Sequence, residues 1–227
     1  MILEYKNILV LTVLMVFSQL GVVELFGQSD QFSTYYHQCK SLFEELPNTK
    51  KEIIFLGNSI TDGGEWCELF DNKRIKNRGI SGDVTEGVLY RLEEVTESQP
   101  AKVFLLIGVN DLARGISSDT IVSKIQEIAT RINTQSPKTE VYIQSILPVN
   151  PVFKKFTGHC SKTEEIMRIN QQLKAWSAQS PVQFVDLFSH FKNEEDNLMN
   201  FKYTNDGLHL TGAGYVLWAD IIRPLLK

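Results

Sequence analysis

Cysteine is scarce in this chain of 227 residues, with three in all. Cys39, Cys67 and Cys160 lie far apart, and neither they nor the histidines form a Cys-x-x-Cys or His-x-x-x-His spacing. The residue sets that hold structural or hydrolytic zinc are therefore missing, and no metal is expected. An odd number of thiols leaves at least one unpaired within a monomer. Basic clusters are missing too. Lys and Arg number 23 against 27 Asp and Glu, a formal net charge of −4 with no dense cationic patch, which argues against a nucleic-acid partner. No Gly-Lys-Ser/Thr follows the segment Gly57-Asn58-Ser59, so a flavodoxin-like chain with a P-loop phosphate cradle is excluded. No internal repeat or low-complexity tract occurs. Long apolar runs are also few: the stretch Ile8 to Val23, preceded by Lys6 and ended by Glu24, is shorter than the ~20 residues a spanning helix needs. With Leu25-Phe26-Gly27 before Gln28, it reads as a signal peptide over residues 1–27. Removal on export, to the periplasm or the medium, would leave residues 28–227 with no stable membrane span. No cysteine lies just after the run, which argues against a lipid anchor on that residue.

What is present is material for one core. At this length, with 43% hydrophobic residues, one well-buried domain over residues 28–227 is expected rather than two. Short apolar runs recur at Glu52 to Leu56, Val103 to Ile107, Val141 to Ile146 and Val182 to Leu187, each the length of a buried strand. Between them, Val88, Leu89, Leu92 and Val95 share one helical face, as do Ile121, Ile125, Ile128 and Ile132. Alternating strands and helices predict a three-layer α/β/α sandwich with a mainly parallel central sheet. Ligand sites in such sheets gather beyond the carboxyl ends of the strands, which draws attention to the residues just past each run.

Ser59 comes after the first run, and the tail Thr204-Asn205-Asp206-Gly207-Leu208-His209-Leu210 carries Asp206 and His209 three residues apart. A serine hydroxyl is a weak nucleophile until an imidazole takes its proton, and the imidazole works best when a carboxylate fixes its tautomer. Alone, the Asp206–His209 spacing is as compatible with a helix cap and an ordinary histidine. Two further blocks weigh against that: Asn77-Arg78-Gly79-Ile80-Ser81-Gly82-Asp83, and Leu106-Ile107-Gly108-Val109-Asn110-Asp111. Taken in order, the four blocks resemble the SGNH branch of the GDSL esterase and lipase family, whose Ser, Gly, Asn and His each come from a separate block. The resemblance covers nearly the whole chain beyond the leader. It implies the SGNH, flavodoxin-like sandwich, with Ser59 as nucleophile, His209 as base, Asp206 as its partner, and an oxyanion hole from the backbone N–H groups of Ser59 and Gly82 and the side chain of Asn110. One departure stands out, because the family commonly reads Gly-Asp-Ser where this chain has Gly57-Asn58-Ser59.

The blocks around Gly82 and Gln144-Ser145-Ile146-Leu147-Pro148 look like those of the platelet-activating-factor acetylhydrolase-like group, which implies a small acyl chain such as acetate. The expected activity is hydrolysis of short-chain acyl esters, carbohydrate O-acetyl esters foremost, with a small-molecule or glycan ester as partner and no cofactor. A lysophospholipase, a platelet-activating-factor-type acetylhydrolase and a non-catalytic glycan- or lipid-binding module on the same fold are the alternatives. Asp111 is expected to serve the turn that carries Asn110. Trp66 is a candidate wall of the acyl pocket, the aperiodic region Val149 to Thr163 a candidate loop bordering the site, and His159 within it an expected surface residue.

Overall fold

The computed structural model describes residues 31–226; the expected signal peptide lies outside them. The apolar runs form strands β1 (Ile53–Gly57), β3 (Lys102–Leu106), β4 (Glu140–Gln144) and β5 (Gln183–Val185), each within a few residues of the expected span. A further strand, β2 (Ile75–Gly79), lies outside the four apolar runs. The order in the sheet is β2-β1-β3-β4-β5, and every pairing is parallel. β1 and β3 are buried along their whole length, as central strands covered on both faces must be, which is why their sequences run apolar without alternation.

Register places Phe55 beside Phe104 and Phe104 beside Tyr142. Their rings stack at 5.1 and 4.5 Å, and Trp66 lies on Phe55 at 4.3 Å, with Trp218 edge-on to Trp66 at 4.6 Å. Those indoles bring the short helix Trp66–Phe70 and the C-terminal helix Gly212–Ile222 onto this face. The alternate residues, Ile54, Leu56, Val103, Leu105, Val141 and Ile143, point to the opposite face. Right-handed crossovers from β2 onward put the helices Ser118–Gln135 and Thr163–Ser177 there, where they pack on each other and on β4 and β5. The buried stripe Ile121, Ile125, Ile128 and Ile132 is the one that the 3.6-residue period predicts. The result is a parallel sheet between two helical layers. Among the described residues, no helix is long and apolar enough to cross a membrane.

The strand order reverses at β1, whose neighbours β2 and β3 lead the chain in opposite directions. A crevice opens at such a reversal, beyond the carboxyl ends of the strands. The segments after β1, β2 and β3 are those that carry Ser59, Gly82 and Asn110.

Candidate active site

β1 ends at Gly57, and the chain turns at once into the one-turn helix Ser59–Asp62. Asn58 makes the turn: its Oδ1 accepts from the Ile60 N–H at 3.1 Å, an N-cap of the kind short polar side chains supply. The amide nitrogen of Asn58 is buried and finds no acceptor among the described residues. Two other elements brace this helix. Asn77, at the middle of β2, lies with its amide nitrogen 3.1, 2.9 and 3.0 Å from the carbonyls of Thr61, Asp62 and Gly64. Tyr215, on the C-terminal helix, donates to the Ile60 carbonyl at 3.0 Å. Neither residue was singled out in the sequence. The polar Asn77 inside a strand was the available signal, since a strand interior seldom spends a position on an amide without using it.

Across the crevice, residues 204–210 close on themselves through a Thr204–Leu210 bridge. Thr204 Oγ1 accepts from the Gly207 N–H at 2.9 Å, and Asp206 Oδ1 accepts from the N–H groups of Leu208 and His209, both at 2.8 Å. The second oxygen, Oδ2, lies 2.8 Å from His209 Nδ1, and His209 Nε2 lies 3.0 Å from Ser59 Oγ. Serine, imidazole and carboxylate thus form one unbroken hydrogen-bonded chain across 150 residues of sequence. Partial burial works to raise the Asp206 pKa, but the two N–H donors and the imidazole outweigh it and hold the carboxyl below its ordinary value.

Gly82 sits in the loop after β2 at φ +82°, a backbone setting that L side chains rarely adopt. Ser81 ties the loop to the helix Ser59–Asp62 by donating to Asp62 at 2.6 Å, and Arg114 Nη2 holds the Gly82 carbonyl at 2.8 Å. Asn110 is on the one-turn helix Val109–Ala113 after β3. Its Nδ2 donates to the Asp83 carbonyl at 2.8 Å, which brings it against the Gly82 loop and leaves its second N–H free for a ligand. Asp111 does not satisfy its own turn as expected: its carboxylate reaches across to the start of the helix Thr85–Tyr90, accepting from the Thr85 backbone N–H at 3.1 Å. Beneath the loop, Asp83 and Arg91 form a fully buried ion pair at 3.0 Å. Burial pushes the Asp83 carboxyl up to about 6, against the pull of Arg91.

Two further expectations are corrected. Trp66 does not wall a pocket: it is 1% exposed, stacked on Phe55, and its Nε1 donates to the Thr61 carbonyl at 2.8 Å. A large aromatic that can satisfy its one donor on backbone is better used in a core. His159 is not an ordinary surface residue. The region Val149 to Thr163 forms a strap with a 3-10 turn at Pro151–Phe153 and a one-turn helix at Thr157–Cys160. From it, His159 reaches Asn110 Oδ1 at 3.0 Å, and the Phe156 ring stands edge-on to His209 at 5.0 Å. Val152, Phe156 and Phe201 leave an exposed apolar rim on this side. A cavity of about 230 Å³ near Arg114 is lined by apolar and polar side chains together, among them Val84, Ile116, Glu86 and Lys124.

All three cysteines are unpaired: Cys39 half-buried, Cys67 exposed and Cys160 buried. Among the described residues, no cluster of His, Cys, Asp or Glu could hold a metal ion.

Known proteins resemble this chain in sequence and in fold. The chain is 28% identical over 206 residues to platelet-activating factor acetylhydrolase IB subunit alpha2 of Gallus gallus, covering 86% of this chain and 80% of that one. The Homo sapiens subunit is 29% identical over 187 residues, covering 80% and 77%. A solved GDSL-like lipase of Bacteroides thetaiotaomicron superposes with a TM-score of 0.74 at 25% identity, covering 84% of this chain and 96% of that one. The model of the GDSL-like Lipase/Acylhydrolase family matches residues 55–217, a span that runs from the strand before Ser59 to beyond His209, and the chain is an ester hydrolase belonging to that family.

Proposed function

We propose that the protein hydrolyses short-chain acyl esters, acetyl esters foremost, with Ser59 as nucleophile, His209 as general base and acid, and Asp206 as the carboxylate that orients the imidazole. The observation that carries this reading is the continuous contact chain, 3.0 Å from Ser59 Oγ to His209 Nε2 and 2.8 Å from Nδ1 to Asp206. Because Nδ1 faces a carboxylate, it holds the proton, and Nε2 presents a lone pair to the serine hydroxyl. As Ser59 Oγ attacks the ester carbonyl, its proton passes to Nε2, and the imidazolium is stabilised by Asp206. The negative charge that builds on the carbonyl oxygen falls to the N–H groups of Ser59 and Gly82 and to Asn110 Nδ2. His209 then returns the proton to the departing alcohol, and water repeats the sequence on the acyl-serine.

Two features bear on the alcohol. The cavity that adjoins the Gly82 loop through Arg114, with Glu86 and Lys124 also on its wall, offers charged side chains to a hydroxyl-rich leaving group such as an O-acetylated sugar. A second reading, a phospholipid-type acetyl ester, is favoured by the exposed apolar side chains Val152, Phe156 and Phe201, of which Phe156 stands edge-on to His209, and the acetylhydrolase relatives lend it weight. Residues 1–27 are proposed to be a leader that exports a mature chain beginning near Gln28; N-terminal sequencing of the exported product tests this.

The decisive experiment compares hydrolysis of p-nitrophenyl acetate, butyrate and decanoate by the wild type and by Ser59→Ala. The expected result is a rate falling with chain length and lost in the variant. Equal rates in both proteins would sink the serine mechanism and leave the binding-module alternative. Acetylated xylan and a short-acyl phospholipid, offered to the same two proteins, separate the readings of the alcohol.

A further inference from the structure

The contact between His159 and Asn110 allows one assignment that distance alone does not give. Asn110 Nδ2 lies 2.8 Å from the main-chain carbonyl of Asp83, and a carbonyl can only accept, so the atom facing it must be the amide nitrogen. The other end of the amide is then an oxygen, and the His159 Nε2 lying 3.0 Å from it must carry a proton. His159 therefore holds the Nε2–H tautomer, opposite to that required of His209.

From this we infer that His159 is a positioning residue for the oxyanion hole: its Nε2–H grips the Asn110 carbonyl so that the free amide N–H stays aimed at the crevice. This rests on the role proposed for Asn110. An amide on two rotatable bonds held by one hydrogen bond can swing; held at both ends, by Asp83 and by His159, it cannot. Preorganisation of this kind is what gives an oxyanion donor its worth, because a donor that must reorient during the reaction loses much of its advantage. The surroundings fit a neutral imidazole. Partial burial, with the neighbouring His209 and Arg114, lowers the His159 pKa from its ordinary value, so no second cation stands beside His209 while it is protonated in the reaction. Cys160, next in sequence, anchors the strap by donating from Sγ to the Gly207 carbonyl at 3.3 Å, which fixes the imidazole relative to the turn that carries His209.

The test is a double-mutant cycle on kcat and KM for p-nitrophenyl acetate, with melting curves as the check on folding. Asn110→Ala should lower kcat by about 10²- to 10³-fold. His159→Ala should lower it by about 10- to 100-fold with KM changed less than about twofold. In the Asn110→Ala background the same substitution should cost less than about twofold. His159→Gln, which keeps an N–H donor at similar reach, should recover most of the loss. If Asn110→Ala is crippled while His159→Ala is unaffected, the inference falls and the hole stands. If neither substitution matters, the hole falls and takes the inference with it. If His159→Ala costs the same in both backgrounds, His159 acts through something other than Asn110 and the inference falls. Should His159→Ala fail to fold, nitrogen-15 NMR of the wild type decides: a protonated Nε2 and a bare Nδ1 on His159 are expected, and the reverse tautomer overturns the assignment.

Discussion

Asn150 and Gly207 hold each other by the backbone: the Asn150 N–H donates to the Gly207 carbonyl at 2.8 Å, and a Cβ on Gly207 would stand 2.1 Å from the Asn150 carbonyl oxygen. Gly207 is also at φ +88°, so a side chain there is opposed by both the backbone conformation and the contact. Gly207→Ala should shift the turn that carries Asp206 and His209, cost about 1–3 kcal/mol, and lower kcat for p-nitrophenyl acetate by about 10²-fold through misplacement alone. Melting temperature and steady-state kinetics check it; a variant with wild-type kcat would show that the turn does not set the base.

The clamp made by Asn77 gives a sharper contrast. Its amide nitrogen faces three carbonyls of the nucleophile segment, so Asn77→Ala leaves acceptors without a donor, and Asn77→Asp sets a carboxylate against them. Both variants should be destabilised, by about 1–3 kcal/mol for the alanine, with the aspartate worse although its shape is nearly unchanged. Denaturant unfolding of the two variants ranks them, and the opposite order would refute the clamp.

Asp206 carries a pH signature. Its folded-state pKa is lowered, so the stability it contributes is fully present above the ordinary carboxylate range, near pH ~4, and is lost as pH falls through the folded value. The melting advantage of the wild type over Asp206→Asn should therefore be constant from neutrality to about pH 5 and shrink below about pH 4. At neutral pH the same substitution should reduce turnover by about 10²- to 10⁴-fold by losing the tautomer-fixing partner. A gap that widens in acid would contradict the lowered pKa.

Trp66 separates packing from binding. As a buried ring between Phe55 and Trp218, it should cost about 3–5 kcal/mol when replaced by Ala, while Trp66→Phe, expected to fold because it keeps a ring in the aromatic stack, should leave the acyl-chain preference unchanged. A changed preference between acetate and butyrate would return Trp66 to the pocket.

These residues also differ in how far each could be read in advance, for physical reasons. β1 and β3 were legible because a strand covered on both faces has no polar position to hide it. β2 was nearly invisible: as an edge strand it gives Asn77 to the nucleophile clamp and Arg78 to a buried pair with Glu94, and those duties erase the apolar run. The adjacency of Ser59, Asp206 and His209 could be argued because the chemistry demands three residue types together and each stood in a recognisable block. His159 belongs to no block and lies in a segment without periodicity; its contact with Asn110 exists only once the strap is folded across the crevice. Trp66 failed for a related reason. Nearness to Ser59 in sequence says nothing about which way a ring faces, and the ring turned to the aromatic ladder on the sheet.

The hydrogen bond from Ser59 to His209 closes a loop of 150 residues, whereas β1 pairs with β2 and β3 within a much shorter stretch of sequence. Loop closure grows costlier only with the logarithm of length, so the penalty is bearable. A nascent or truncated chain that stops before residue 204 would own a nucleophile, a glycine loop and Asn110, and would have no base to wake the serine. Under the proposed mechanism hydrolysis requires that last turn to be docked on the sheet, so turnover reports complete folding.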